Sequence, residues 1–230
     1  LAKPALLCRK TGKIKIKITM SIRNVFYEIT SFYTLCIAEQ HCASGKRESR
    51  ERMFFYDDVE GNLLEISGLL RDGKIPRVEY RSFLVYVPKV RKVIYIDYRS
   101  KVIQRAIYDV LNPKICRTFI ADTYACIKGR GQLAAMETLY RWLRETRSSG
   151  EDWYYYKFDV AKFFYRIDHE ILIRLLEKKI DDPRTVDLIG YYINNDAIPF
   201  GMPLDADQLT ISEEEMLYDL GIPIGGGLSH

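Results

Sequence analysis

The residues best suited to carry out chemistry lie in one aromatic-rich stretch, YYYKFDVAKFFYRIDH, at residues 154–169. The pattern predicts a strand that ends in the carboxylate of Asp159, then a tight bend, then a helix capped by Asp168. A strand end holds an acid rigidly, and a rigid carboxylate is a good ligand for a hard cation such as Mg²⁺. On this stretch alone a structural interpretation stays open, in which Asp159 only caps or ends a strand.

A second candidate site lies in a predicted β-hairpin formed by the β-rich runs 83–87 and 92–96. The connection between the two runs carries Lys89 and Arg91 near its tip. A lysine point charge and an arginine fork are the side chains expected to hold a triphosphate. The structural alternative is that these cations protect an edge strand from pairing with other chains.

The third candidate is the closing segment LGIPIGGGLSH, at residues 220–230. Three consecutive glycines let a backbone pass very close to a partner such as a nucleotide base or a primer end. A flexible glycine-rich terminus is the alternative interpretation. Because the chain stops one residue after Ser229 of this motif, we expect it to be a truncated domain.

Length and composition limit the class of protein. The chain has 230 residues, 47% of them hydrophobic and 29% charged, which indicates a globular protein with one good core or two modest ones. No run reaches the ~20 apolar residues of a membrane helix, and no secretory signal is recognisable. The five cysteines include no C-x-x-C pair, so we expect no zinc site, and a reducing cytoplasm fits best.

Charge is distributed unevenly along the chain. Residues 81–130 carry eleven Lys or Arg against three Asp, an excess that favours a polyanionic partner over a merely solvated surface. Residues 196–220 hold seven acids and no base, so we do not expect them to touch phosphates. Residues 1–19 hold six Lys or Arg and no acid, and precede the first methionine, Met20. We expect this basic leader to be non-native, or else a basic arm.

Helices are predicted to position these candidates. Apolar spacing favours helices over residues 21–39, from 57 or 58 to 70, 101–111, 132–146, 168–180, 183–192 and, briefly, 213–217. Ser21 and Ser100 are the predicted caps of the first and third of these helices, and Asn112-Pro113 is a predicted stop. The helix at 101–111 leaves Gln104 and Arg105 for solvent or a ligand.

The hairpin, the Gln-bearing helix, the FDVxxFFxxIDH run from Phe158 and the GIPIGxxxS run from Gly221, in this order, resemble a reverse transcriptase. The resemblance spans residues 45–229. Runs YRSFLVYVPK at 80–89, TYAC at 123–126 and GIPIG at 221–225 are similar to those of bacterial diversity-generating retroelements. Most group II intron and retron enzymes carry Gln where this chain has Ile224.

The resemblance implies an α+β fold, the fingers and partial palm of a right-hand polymerase, with helices packed on an antiparallel sheet and a β-hairpin finger. It further implies that residues 20–150 form the N-terminal helices and fingers, and residues 151–230 a partial palm. The full-length parent would extend a DNA or RNA primer on an RNA template, using deoxynucleoside triphosphates. A cytoplasmic location, a possible accessory protein and no membrane partner complete this expectation.

The resemblance also assigns roles to single residues. Asp159 would be the first metal-binding aspartate, and the Val160 carbonyl would help hold the second of two Mg²⁺ ions, which together activate the primer and neutralise pyrophosphate. Phe164 would be an aromatic gate that excludes a 2′-hydroxyl, unless it is one more core aromatic. The nucleotide would also contact Lys89, Arg91, Ile224 and Gly225. Candidates for template phosphates are Lys101, Gln104, Arg105, Lys128 and Arg130.

Two features depart from the family pattern. His230 follows Ser229, where relatives usually carry Pro or Gln. The Tyr-x-Asp-Asp hairpin that supplies the remaining metal carboxylates is absent, so we predict that the 230-residue chain has no polymerase activity as given. Two alternatives stay open: a defence-associated or template-independent polymerase of the same fold, and a non-catalytic RNA-binding or splicing-accessory protein.

Overall fold

A computed structural model describes residues 21–44, 49–87, 91–194, 197–207 and 209–223. The fold is mixed, with many helices and small sheets, in agreement with the predicted α+β class. The described chain forms two compact units. The larger contains residues 21–114 and 162–223, and the smaller is Ile115–Ala161. The predicted division into residues 20–150 and 151–230 concerns polymerase subdomains and stays a prediction.

The secondary structure is mostly helical, with two sheets of two strands each among the described residues. The elements are β1 (Ile22–Arg23), α1 (Phe26–Ile29), α2 (Phe32–Ala43), α3 (Arg50–Tyr56), α4 (Val59–Arg71), β2 (Tyr80–Val85), β3 (Arg91–Ile96), α5 (Tyr98–Cys116), α6 (Gln132–Ser149), α7 (His169–Glu177), β4 (Ile180–Asp181) and α8 (Pro183–Ile193). Single-turn 3₁₀ helices occupy Phe163–Tyr165 and Glu213–Glu215. None of the helices described is both long and apolar enough to cross a bilayer.

The two sheets differ in direction. Strands β1 and β4 pair in parallel, with Ile22 opposite Ile180. Strands β2 and β3 pair antiparallel from Tyr80 opposite Ile96 to Val85 opposite Arg91, which confirms the predicted hairpin with longer strands than expected. The hairpin therefore has a defined register up to the residues that precede its tip.

Helix α5 contributes the largest number of buried residues of any described helix. Its buried apolar side chains are Tyr98, Val102, Ile103, Ala106, Ile107, Val110 and Leu111. The Tyr98 hydroxyl donates to Glu39 of α2 at 2.9 Å, and its ring lies 5.2 Å from that of Phe55 in α3. Hydrophobic burial along α5, with a polar contact at its start, thus joins the N-terminal helices to the hairpin that precedes α5.

The N-terminal helix prediction was wrong in its boundaries. The expected helix over residues 21–39 is instead β1, α1 and α2. The break falls at Ser31, whose extended backbone and side chain, which accepts from Thr34 N at 3.1 Å, begin a new helix. A serine that bonds to the local backbone competes with helix continuation, which explains the break.

Helix α5 also differs from its prediction. It runs over Tyr98–Cys116 and passes through Pro113, whereas a stop was expected there. Ser100, the predicted cap, is buried within the helix, and Asp97 Oδ1 accepts from Ser100 N at 2.9 Å in its place. Proline removes one backbone hydrogen bond, and the packing of the preceding turns outweighs that loss.

The cap predicted at Asp168 is confirmed, and the helix start predicted at residue 57 or 58 agrees with Asp58 as the cap of α4. Asp58 Oδ1 accepts from Gly61 N at 3.0 Å at the start of α4, and Asp168 Oδ1 accepts from Ile171 N at 2.8 Å at the start of α7. Apolar spacing in this helix predicts that Ile171, Leu172, Leu175 and Leu176 are buried, which is wrong for Ile171 and Leu175, since both are about half exposed. Helix α7 packs against α8, and this contact covers only part of its apolar stripe.

The smaller unit has no core of its own. None of residues 115–161 is buried, and α6, which confirms the helix predicted at 132–146, exposes an apolar stripe. The strand predicted at 154–159 is not formed, since residues 152–160 have no regular structure. A strand needs the backbone ladder of a neighbouring strand, and no described segment pairs with this one.

Because buried side chains are found in the larger unit and not in residues 115–161, shortening an apolar side chain should affect stability mainly in the larger unit. Leu35→Ala, in the buried face of α2, should lower the free energy of unfolding by about 2–5 kcal/mol because it leaves a cavity. Leu143→Ala, on the exposed stripe of α6, is the matched control and should change it by less than about 0.5 kcal/mol. Urea denaturation of both variants measures the difference, and equal losses would contradict a core confined to the larger unit.

Candidate functional site

Three backbone segments of the larger unit meet at the 3₁₀ helix Phe163–Tyr165. Ile222 N donates to Phe164 O at 2.7 Å, and Gly221 N donates to Ile167 O at 2.7 Å. On the other side Met202 N donates to Tyr165 O at 3.1 Å. These bonds bring the predicted aromatic gate against the first residues of the predicted glycine motif.

Two glycines allow this close approach. Gly221 has a φ of +88°, and a Cβ there would lie 2.8 Å from the backbone of Phe200. A Cβ at Gly201 would lie 2.7 Å from Leu217 O, the atom to which Gly201 N donates at 2.8 Å. No side chain fits at either position without movement of the backbone. Gly201 was not singled out from the sequence, although a glycine between the apolar Phe200 and Met202 is a signal for close backbone contact.

His169 supports the same junction from inside. Its ring is buried, and Nε2 lies 2.7 Å from Gly221 O, so Nε2 carries the proton and donates to the carbonyl. Its backbone N donates to Asp219 O at 3.2 Å. The sequence placed His169 in a motif without giving it a role. The structure shows that it holds the segment that leads into Ile222.

Lys162 organises the turn before the 3₁₀ helix. It adopts a left-handed backbone conformation with φ of +50°. Its ammonium donates to Pro203 O at 3.2 Å, to Leu204 O at 2.6 Å and to Ala206 O. All three ammonium protons are thus directed at one loop, which ties residues 203–206 to the turn. No pattern in the sequence distinguishes this lysine from an ordinary exposed one.

The base of the hairpin is fixed to the rest of the larger unit. The Tyr80 ring lies 5.9 Å from that of Phe200, edge to face, and burial raises the Tyr80 pKa above its usual value. On β3, the Tyr95 hydroxyl donates to Glu51 at 2.8 Å, and Arg81 of β2 pairs with the same carboxylate at 3.2 Å. These contacts hold both strands of the hairpin in place near its base.

Several predicted nucleotide-binding residues lie outside the described residues. Lys89 belongs to the undescribed residues of the hairpin tip, and Ile224 and Gly225 follow the last described residue. Arg91 begins β3, but its side chain is not described. Phe164 is described: it is half-buried, and its ring lies 5.4 Å from that of Phe163 in an edge-to-face contact. Part of this side chain is therefore accessible to a ligand.

Asp159 and Val160 belong to the smaller unit, and both are exposed in its irregular segment. Among the described residues, no group of three or more His, Cys, Asp or Glu side chains is arranged to hold a metal ion. The described residues therefore do not form a complete magnesium site. The predicted roles of Asp159 and Val160 stay predictions.

The predicted template-binding residues differ in their surroundings. The expectation that Gln104 faces solvent was wrong, because it is only 5% exposed. It lies between Ser100 and Ile107 on the buried stripe of α5, where the apolar face is wider than its sequence pattern suggested. The predicted contact of Gln104 with template would require α5 to shift.

The basic candidates remain at the surface, but most contact their own chain. Lys101 Nζ lies 3.7 Å from the centre of the Tyr95 ring, and Arg105 pairs with Asp109 at 2.8 Å. In the smaller unit, Arg130 donates to Ala121 O at 2.9 Å and closes the loop around it, while Lys128 is exposed. Lys128 is thus the candidate that projects into solvent without a structural contact described for its ammonium.

No protein-family model matches the chain, and no curated protein matches it.

The close approach at Gly221 predicts a large effect of a single methyl group. Gly221→Ala should lower the free energy of unfolding by roughly 2–4 kcal/mol, from backbone strain together with overpacking against Phe200. Gly73→Ala is the control, since Gly73 also has positive φ but has no atom near its Cβ position. It should cost only the strain, about 1–2 kcal/mol. Equal losses in chemical denaturation would mean that the approach at Gly221 is unimportant.

The hairpin anchor predicts an alkaline effect on stability. Burial, followed by the hydrogen bond to Glu51, raises the pKa of Tyr95 from 10.0 to about 12. Between these values the unfolded chain loses a proton that the folded chain keeps, so stability falls as pH rises. Tyr95→Phe removes this contribution. The wild-type advantage over Tyr95→Phe in urea denaturation should be constant below pH 10 and shrink above it. A constant difference would contradict the anchor.

Proposed function

We propose that this chain is the fingers and part of the palm of a bacterial reverse transcriptase of the retroelement type. The function of the complete protein is then RNA-templated DNA synthesis, and the 230 residues alone are inactive. The observation that carries the proposal is the 2.7 Å hydrogen bond from Ile222 N to Phe164 O. It joins two sequence motifs that the resemblance assigns to one nucleotide pocket.

The chemistry of such a pocket suits these two motifs. An aromatic side chain at Phe164 supplies a flat wall that a 2′-hydroxyl would strike, which favours deoxynucleotides. The glycines after Ile222 lack side chains, so a base or a sugar can approach the backbone closely. An apolar contact from Ile224 offers no hydrogen bond to check pairing, which is consistent with low fidelity.

The anchored hairpin supplies the second part of the pocket. Its base is fixed through Tyr80 and Glu51, while its connection carries Lys89 and Arg91. Cations at the tip of an anchored hairpin are suited to neutralise the triphosphate of an incoming nucleotide. In this proposal, Lys101, Arg105, Lys128 and Arg130 contact the template backbone, which adds affinity without sequence preference.

The metal requirement is only partly met by this chain. Two Mg²⁺ ions, when bound, would activate the primer hydroxyl and stabilise the leaving pyrophosphate. Asp159 and Val160 are the residues here suited to contribute ligands, but they do not complete a site. In this proposal the remaining carboxylates belong to a Tyr-x-Asp-Asp motif of the full-length parent.

A second candidate function rests on the exposed basic side chains alone. If no further carboxylates join Asp159, the protein is a non-catalytic RNA-binding or splicing-accessory protein that uses only its basic surface. Lys128 and Arg130 are exposed in the smaller unit, where they can contact RNA phosphates without any metal site. Both candidates predict salt-dependent RNA binding, so binding alone does not separate them.

Primer extension separates them. The 230-residue chain should bind an RNA template annealed to a DNA primer and extend nothing. The chain lengthened by its own following reading frame, where that frame encodes Tyr-x-Asp-Asp, should add deoxynucleotides in the presence of Mg²⁺. Asp159→Asn in that protein should abolish extension while binding changes less than about threefold, because one charge among many contributes little to affinity.

Asp187→Asn is the matched control, since Asp187 is an exposed acid on α8 and should leave extension unchanged. Extension that survives Asp159→Asn would overturn the proposed role of Asp159. Extension without RNA template would favour the template-independent polymerase. A frame without paired aspartates, or a lengthened chain that binds RNA but never extends a primer, would favour the non-catalytic candidate.

A further inference from the structure

Three charged or titratable side chains join α2 to α5 in the larger unit. His41 Nδ1 of α2 and Asp109 Oδ2 of α5 are 2.7 Å apart. Arg105 Nε donates to the other oxygen of the same carboxylate, Asp109 Oδ1, at 2.8 Å. One carboxylate thus holds an imidazole and a guanidinium at once. We call His41, Arg105 and Asp109 the α2–α5 cluster.

Asp109 determines which nitrogen of His41 carries a proton. An ionised carboxylate only accepts hydrogen bonds, so Nδ1 of His41 is the donor in this pair. In the neutral imidazole the other nitrogen, Nε2, then has a lone pair and cannot donate. Nε2 becomes a donor only when the ring takes up a second proton. The protonation state of His41 therefore determines whether this ring can bind an anion.

The two potential donors of the cluster reach solvent more than its acid does. The side chain of His41 is 46% exposed and that of Arg105 is 36% exposed, whereas that of Asp109 is only 17% exposed. The bond to Asp109 uses one of the five N–H groups that an arginine carries. An anion that approaches from solvent can therefore meet His41 and Arg105 without displacing Asp109.

The surroundings of His41 contain one acid partner and one cationic neighbour. Asp109 and Arg105 both come from α5. Helices α1 and α4 also pack on α2, but within the described part of the chain no carboxylate of either helix forms an ion pair with His41. On α2 itself, Glu39 is buried and accepts from the Tyr98 hydroxyl. A bound anion would thus be a second counter-charge for the protonated imidazole, beside Asp109.

The charge of the cluster fits one phosphodiester. With His41 neutral, the charges of Arg105 and Asp109 cancel. With His41 protonated, the cluster has one net positive charge, which is equal and opposite to that of one phosphodiester. Binding of this anion therefore stabilises the protonated imidazole, and by linkage protonation increases the affinity for the anion.

The neighbouring residues favour a nucleic acid as the source of that phosphodiester. Arg105 lies within residues 81–130, which carry eleven Lys or Arg against three Asp. Four residues earlier on α5, the Lys101 ammonium lies 3.7 Å from the centre of the Tyr95 ring. Cations that alternate with aromatic rings are typical of surfaces that bind single strands, because bases stack on the rings while the cations contact the backbone.

We propose that the α2–α5 cluster is a proton-linked binding site for a phosphodiester of single-stranded RNA. Protonated His41 donates from Nε2, Arg105 donates from its terminal N–H groups, and Asp109 orients both donors. The structural alternative is that the cluster only ties α2 to α5. The proposal rests on RNA binding, which both candidate functions share, and not on polymerase activity. A lengthened chain that never extends a primer would overturn the polymerase proposal and leave this one intact.

A pH series of RNA binding tests the site. Fluorescence anisotropy of a labelled single-stranded RNA is titrated with the 230-residue chain at constant ionic strength, between about pH 5.5 and 8. Wild-type affinity should fall about three- to fivefold as the pH rises, because His41 loses the proton that Nε2 donates. His41→Gln should bind at the weak level at every pH. His41→Arg, whose charge is permanent, should bind at the strong level at every pH.

The salt dependence of binding counts the contact. Each phosphate of a single strand that a protein neutralises steepens the slope of log affinity against log salt by about 0.7. Near pH 5.5, the wild-type slope should be steeper than that of His41→Gln by roughly this amount. Near pH 8 the two slopes should be equal. A merely structural role of His41 would not produce this change of slope with pH.

Arg105→Gln removes the second donor and should weaken binding at both ends of the pH range. Arg174→Gln is the matched control, because Arg174 of α7 pairs with Glu170 at the same spacing of four residues, at 3.8 Å, in a pair without a histidine. It should leave the pH dependence of binding as in wild type. Circular dichroism of each variant at both ends of the range should match wild type, which ensures that weaker binding does not reflect unfolding.

The proposal is overturned if the chain does not bind the RNA, or if its affinity does not change with pH. Wild-type pH dependence in His41→Gln would also overturn it, because His169 or His230 would then be responsible. The same pH-linked binding to polyglutamate would mean that the site takes carboxylates and not phosphodiesters. Displacement of the RNA by an equal concentration of inorganic phosphate groups would mean that the site takes free phosphate instead.

Discussion

The constraint on which the candidate site depends is the close approach of three backbone segments at Gly201 and Gly221. Neither position has room for a Cβ, so the spacing between these segments is set by main-chain atoms and not by side-chain packing. His169 fixes Gly221 from the buried side. Because Ile222 is bonded to Phe164 through the same junction, the two motifs keep their relation even if neighbouring side chains change. A junction built in this way keeps its geometry whether or not a ligand is bound.

The sequence predicted correctly those features that depend mainly on neighbouring residues. Asp168 was predicted as a helix cap, the helix start near Asp58 was predicted from apolar spacing, and the hairpin was predicted from its two β-rich runs. The predicted end of a helix was wrong where packing against distant segments determines it. Helix α5 continues through Pro113 because its earlier turns are buried, and burial depends on segments distant in sequence. The helix predicted over residues 21–39 was wrong for a local reason, because the Ser31 side chain accepts a hydrogen bond from Thr34 N and begins a new helix.

The candidate site was predictable in part. Phe164 and the glycine motif were both found from sequence, but their direct contact depends on Gly201 and on three carbonyls held by Lys162, which have no distinctive pattern. Gln104 was misplaced because helical spacing gives the centre of a buried face more reliably than its width. The strand predicted before Asp159 was wrong for another reason. Aromatic and β-branched residues favour an extended backbone, but a strand forms only when a second strand pairs with it.

The absence of buried residues between 115 and 161 has a thermodynamic consequence. The heat capacity change of unfolding arises mainly from apolar surface that becomes hydrated, and this part of the chain is already hydrated in the folded state. Its contribution to a calorimetric transition is therefore small. A scan of the whole chain reports almost entirely on the larger unit, with a heat capacity increment per residue below the usual value for a globular protein of this length. Anything that covers the smaller unit would raise that increment.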